Sequence, residues 1–150
     1  MQRKIQVILF IVILLLGNIS CQKSSYIENE MHGIWQVNSI EELTTNNTTQ
    51  AKGDLYFSFQ RNMVILGCRT ESKPLGLAIA EQYVSEFDLT SDSIHMGDFR
   101  IYMEYENKAP LQHLHKFGIY DEYTTFHMER PTKNSLILSS RKARITMRKY

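Results

Sequence analysis

Residues 33–40 read GIWQVNSI. In an extended chain successive side chains point to opposite faces. Trp35 and Val37 then share one face, and Gln36 and Asn38 share the other. That sorting into a dry and a wet side is the mark of a strand with one face in water.

The same period of two recurs downstream. DLYFSFQ (54–60) sets Leu55, Phe57 and Phe59 against Asp54, Ser58 and Gln60. FRIYMEYE (99–106) sets Phe99, Ile101, Met103 and Tyr105 against Arg100, Tyr102, Glu104 and Glu106. EYTTFHMER (122–130) puts Phe126 and Met128 opposite Thr125, His127 and Glu129. One-sided alternation of this kind signals antiparallel sheet. TTNNTTQAKGD (44–54) reads as a polar loop, QRN (60–62) as a tight turn, LTSDS (89–93) as a hairpin, and RPTKNS (130–135) as another turn. The class is therefore all-β, an antiparallel up-and-down meander. Closing about eight strands into a barrel removes the free edges that a meander leaves.

Two segments break the alternation. SKPLGLAIAEQ (72–82) is apolar but carries Pro74 and Gly76, so it reads as a long loop or broken strand. APLQHLHKFGI (109–119) spaces Leu111, Leu114 and Phe117 as a helix does, with Gly118 suited to cap its C-terminus, which predicts one short helix near 110–117.

The N-terminus is of another kind. Arg3 and Lys4 precede an apolar run from Ile5 to Leu16, and the small residue Ser20 stands before Cys21. A positive start, a short apolar stretch and a small residue make a secretory signal peptide over residues 1–20. The run is well short of the roughly 20 residues needed to span a bilayer. The polar QKSS after Cys21 begins a tether over 21–31, and the barrel domain follows over 32–150.

The chain has 150 residues and a formal net charge of +1 from 17 Lys+Arg and 16 Asp+Glu. Loss of residues 1–20 would leave about −1, and this balance excludes a general pull toward nucleic acid. There are two cysteines. Two cysteines make no disulfide framework, and in NMVILGCRT Cys68 reads as a small buried hydrophobe.

A signal peptide ending at cysteine resembles the lipobox of bacterial lipoproteins, with Asn18 where that family usually has leucine. The resemblance implies that the Cys21 sulfur is acylated and holds the protein on a membrane. Gly33-x-Trp35 on the first strand, followed by a meander, resembles the lipocalin superfamily. With the lipobox, HGIWQV and the closing SLILSSRKARITMRKY, the chain is similar to the small lipocalin-like lipoproteins of Gram-negative gut bacteria. This implies an outer-membrane lipid anchor, its periplasmic or surface face left open. It also implies that Trp35 closes one end of the barrel and that a late basic residue, Arg144 or Arg148, packs over it. Parity puts both arginines on the outer face, so a bulge or a strand end would be required to bring one round.

No catalytic or metal-binding constellation is legible. His113 and His115 would share a face on a strand, but on a helix they stand about 200° apart. Glu104 and Glu106 alternate on a wet face, and no nucleophile elbow, zinc-protease motif or phosphate loop occurs. The expectation is a non-enzyme without cofactor or metal.

An eight-stranded barrel is either filled by side chains or holds one small ligand. The inward candidates are Phe57, Phe59, Phe87, Ile101, Met103, Phe126 and Met128, a lining suited to a small apolar molecule. The alternative is an envelope protein with a filled barrel, docking a protein or glycan partner through its outer surface. Asn46 and Asn47 each begin an Asn-x-Thr sequon, which a bacterial lipoprotein would not normally use. Asp92-Ser93-Ile94 resembles the short sites at which some Gram-negative gut bacteria O-glycosylate exported proteins, with Ser93 as acceptor; a plain hairpin turn explains it equally.

Overall fold

The computed structural model describes residues 30–68 and 82–150. The signal peptide, Cys21, most of the tether and nearly all of the apolar 72–82 segment lie outside them. Among the described residues, eleven strands form a single sheet. In chain order they are β1 (Gly33–Glu42), β2 (Asn47–Gln50), β3 (Leu55–Gln60), β4 (Met63–Cys68), β5 (Gln82–Leu89), β6 (Ser93–Gly97), β7 (Arg100–Ile101), β8 (Glu104–Lys108), β9 (Tyr123–Thr132), β10 (Ser135–Ser139) and β11 (Ala143–Lys149). Eight of them close a ring, β4-β3-β1-β11-β10-β9-β6-β5, with β5 returning to β4. Every neighbour is antiparallel, so the ring is the up-and-down meander that the alternation predicts.

Parity decides what enters the ring. A bulge between Val37 and Ser39 lets Trp35, Val37 and Ile40 all face inward. On the closing strand Ala143, Ile145 and Met147 face them, fully buried. Leu136, Leu138, Val64, Leu66, Ile94 and Met96 complete the wall of one contiguous core.

Three expectations need correction. Within the polar stretch 44–54, Asn47–Gln50 is a strand, wholly exposed, that pairs with the far half of β1. Residues 99–106 are not one strand. They fold back between Ile101 and Glu104, so that β7 and β8 form a hairpin with Tyr102 and Met103 at its tip. The tip holds no Gly, Pro, Asn or Asp, and the alternation runs through it unbroken. The tether also ends earlier than residue 31, because Met31 is fully buried in the core.

The short helix is present. α1 (Leu111–Leu114) runs into a 3-10 turn (His115–Phe117). Gly118 stops it at φ 77°, the left-handed conformation that glycine adopts without strain. A Cβ there would also stand 2.8 Å from Ile145 Cγ1, so the chain needs glycine for space as well.

Candidate functional site

The barrel has two different ends. At one end β1 begins and β11 finishes, with Trp35 paired to Lys149 on one side and Phe57 on the other. Trp35 is 1% exposed, and its Nε1–H donates to the carbonyl of Met31 at 2.8 Å. The ammonium of Lys149 lies 5.3 Å from the indole centroid and donates to the carbonyl of Glu30. The Glu30 carboxylate in turn pairs with Arg130 at 2.7 Å.

The cation over Trp35 is therefore Lys149, not Arg144 or Arg148. The parity that keeps the arginines outside carries Lys149 in, two residues beyond Met147. Arg144 pairs with Glu129, and Arg148 donates to the Gln36 side chain, both on the outer surface.

The other end is covered by an inserted element. Leu114, Phe117 and Ile119 are buried there, with Gly118 against Ile145 and Ile40. The Phe117 ring meets Phe57 and Tyr83 edge-on, both centroid distances being 6.2 Å. On the shoulder of this plug the Tyr83 hydroxyl and His113 Nδ1 are hydrogen-bonded at 3.0 Å. His115 instead stacks on Tyr120 with centroids 4.9 Å apart, so the two helical histidines serve different neighbours.

Most of the proposed lining is inside. Phe57, Phe59 and Phe126 are fully buried and Phe87 nearly so. Ring contacts run from Phe87 through Phe59 and Phe57 to Phe117 and Tyr83. Ile101 and Met128 are half-buried and pack against the core from its margin. Met103 is 81% exposed at the hairpin tip and lines nothing. Cys68, read as buried, is only half-buried at the end of β4. Sequence reasoning did not place Tyr83, Phe117, Met31 and Lys149 in this interior. The helical spacing was the one available signal for Phe117.

Beside the plug the wall divides. β6 bends into β7 at Asp98, whose φ is 49°, and so leaves β9. A cleft of about 220 Å³ opens there over Phe99, Ala109, Leu111 and Leu114. Three charged side chains border it, Asp98, Lys108 and Glu122. Asp98 meets Arg100 at 2.8 Å and Lys108 at 3.1 Å, and Lys108 meets Glu122 at 2.7 Å. Hydrogen bonds from Arg100 and then Lys108 hold the Asp98 carboxyl below its ordinary range. Those to Glu122 and Asp98 raise the Lys108 ammonium.

A closed, sequentially wound eight-stranded barrel with an apolar interior and a tryptophan at one end belongs to the class of small antiparallel barrels, whose interior is filled by side chains or holds one small ligand. Residues 13–150 match the model of the lipocalin-like domain, and the chain belongs to that family. It is similar to the crystal structure of a lipocalin-like protein from Bacteroides uniformis, at 16% identity and a TM-score of 0.60, covering 81% of this chain and 99% of that one. It is also similar to an uncharacterized protein from Bacteroides eggerthii, at 18% identity and a TM-score of 0.59, covering 80% and 99%. No curated protein matches the chain significantly. At these identities the two structures speak for the fold alone.

Proposed function

We propose that this protein is a lipid-anchored envelope protein, fixed to the outer membrane through Cys21, whose barrel binds one small, largely apolar molecule without transforming it. One observation carries the binding role. Phe117 closes the end of the barrel from a one-turn helix that contributes no strand to the ring. It can withdraw while every ladder bond of the eight strands stays made. Beneath it a ligand meets Phe57, Phe59, Phe87, Phe126 and the margin residue Met128. The Tyr83–His113 pair offers one polar contact, which favours a molecule with a single polar end.

The anchor rests on the signal peptide and Cys21. A cysteine carrying several acyl chains, with about 0.8 kcal/mol for each buried methylene, would stay on the membrane essentially permanently. Cys21→Ser is expected to abolish incorporation of radiolabelled palmitate and to release the protein from membranes.

Native mass spectrometry of the protein, purified without denaturation from cells that export it, tests the binding role. A reproducible extra mass that is lost on unfolding supports it and gives the ligand's class. The unbroken chain of ring contacts from Phe87 to Tyr83 favours a second reading, a side-chain-filled barrel that docks a partner through its outer surface. No extra mass and no response to hydrophobic fluorescent probes would decide for that reading.

A further inference from the structure

The outer wall formed by β6, β9 and β10 presents Ser93, His95, Tyr123, Thr125, His127 and Ser139, with Glu129 and Ile137 farther along the same face. Tyr123 stands opposite Gly97 in the β6–β9 ladder. A Cβ on Gly97 would lie 2.3 Å from Tyr123 Cδ1, so the ring lies across the bare glycine and is supported from below. Tyr123 is nevertheless 70% exposed. Tyr56 covers Gly67 in the same way, but it is half-buried and its hydroxyl accepts a hydrogen bond from Gln82. Covering a glycine therefore does not require a bare ring. At Tyr123 the upper face is open.

Clefts flank this ring on both sides. The larger, about 530 Å³, is bordered by Ser93, Thr125, His127, Ser139, Ser140 and Arg141. The smaller, about 280 Å³, runs past His95, Asp88 and Glu86. Asp121, on the border of the larger cleft, is neutralised by Lys142. Ser139 Oγ is buried and has no hydrogen-bond partner within the described protein. A buried hydroxyl left in that state is costly, and a ligand hydroxyl would satisfy it.

We propose that this wall is a carbohydrate-binding face, with Tyr123 as the platform for one ring of a neutral oligosaccharide. A sugar ring offers an apolar C–H face to an aromatic ring and hydroxyls around its rim that both donate and accept. Ser and Thr hydroxyls can answer in either sense, imidazole nitrogens add further hydrogen-bonding positions, and Arg141 adds a planar set of donors. An apolar ligand would find only one ring to rest on. A phosphate or nucleic acid would meet Glu86 and Asp88 beside it. This site lies on the opposite face of the wall from the barrel interior and stands or falls independently of what the interior holds.

Saturation-transfer NMR on the full chain in detergent micelles, with neutral hexasaccharides of glucose, mannose and xylose offered one at a time, tests the proposal. Transfer is expected to at least one of them, strongest on the C–H protons of one ring face. It should be lost in Tyr123→Ala, kept in Tyr123→Trp and weakened in Ser139→Ala, with the circular dichroism of each variant unchanged. Absence of transfer to all three sugars would overturn the assignment. So would transfer that survives Tyr123→Ala.

Discussion

The two ends of the barrel are closed by different means. At the first, Trp35 belongs to the ring itself, paired on both sides and fastened by an N–H bond, a cation and an ion pair. At the second, Phe117 is delivered by a one-turn helix, held by ring edges, the Tyr83–His113 bond and a bridge of surface charges. Removing the first closure damages the wall; removing the second leaves it standing. Under the proposed binding role, the second end is the mouth.

The sharpest way to break this contrast is to truncate both closures and compare. Trp35→Ala is expected to cost about 4 kcal/mol, in the range for deleting a large buried aromatic, because paired strands cannot collapse into the space. Phe117→Ala should cost less, about 3 kcal/mol, since the helix can settle. Chemical denaturation measures both. Only the Phe117 variant should gain fluorescence with a hydrophobic probe. Equal probe gain in both variants would remove the distinction between floor and mouth.

A smaller effect is expected at Lys149. Lys149→Gln keeps much of the stem but removes the charge over the indole, a loss of about 1 kcal/mol. Arg148→Gln, on the outer face, should fall well below that by the same denaturation. If the order reversed, the cation over Trp35 would be the wrong one.

The mildest test concerns the charges beside the mouth. Asp98 is held below its ordinary 3.8, so its contribution is complete above that value and lost as pH falls through the lowered one. Lys108 is raised above 10.5, so its contribution is complete below that value and lost as pH rises past the raised one. Once corrected for intrinsic exchange, protection of the Ala109 amide, which donates to Phe99, should hold level between those limits and drop only outside them. The Trp35 indole N–H should show no such dependence.

The ring was legible in the sequence because one-sided strands record their own orientation. Phe57, Phe59 and Phe126 go inward by parity alone, and Gly118 marks the end of the helix. What failed was whatever alternation cannot encode. Met103 was counted inward because a turn made of Tyr102 and Met103 leaves no turn residue to read, and the chain reverses there. Asn47–Gln50 looked like loop because a strand with both faces in water has no dry side to alternate with. Phe117 was legible as a helical residue but not as a plug, since sequence spacing says which face a helix buries and not what it is buried against. Lys149 shares the parity of Met147, two residues before it, but the resemblance implies an arginine over the tryptophan and gives no sign of a lysine.

The ring also closes late along the chain. Trp35 pairs with Lys149, so the ladder that completes the wall joins segments more than a hundred residues apart, while the other ring strands pair with strands nearer in sequence. Loop-closure entropy makes such a contact slow to form, and it must wait until β11 has been made. Until then β1 and β10 are bare edges, the condition in which a sheet recruits foreign strands. β2 covers the far half of β1 on the opposite side, beside β3, so the edge that awaits β11 stays bare along its whole length until the chain is complete.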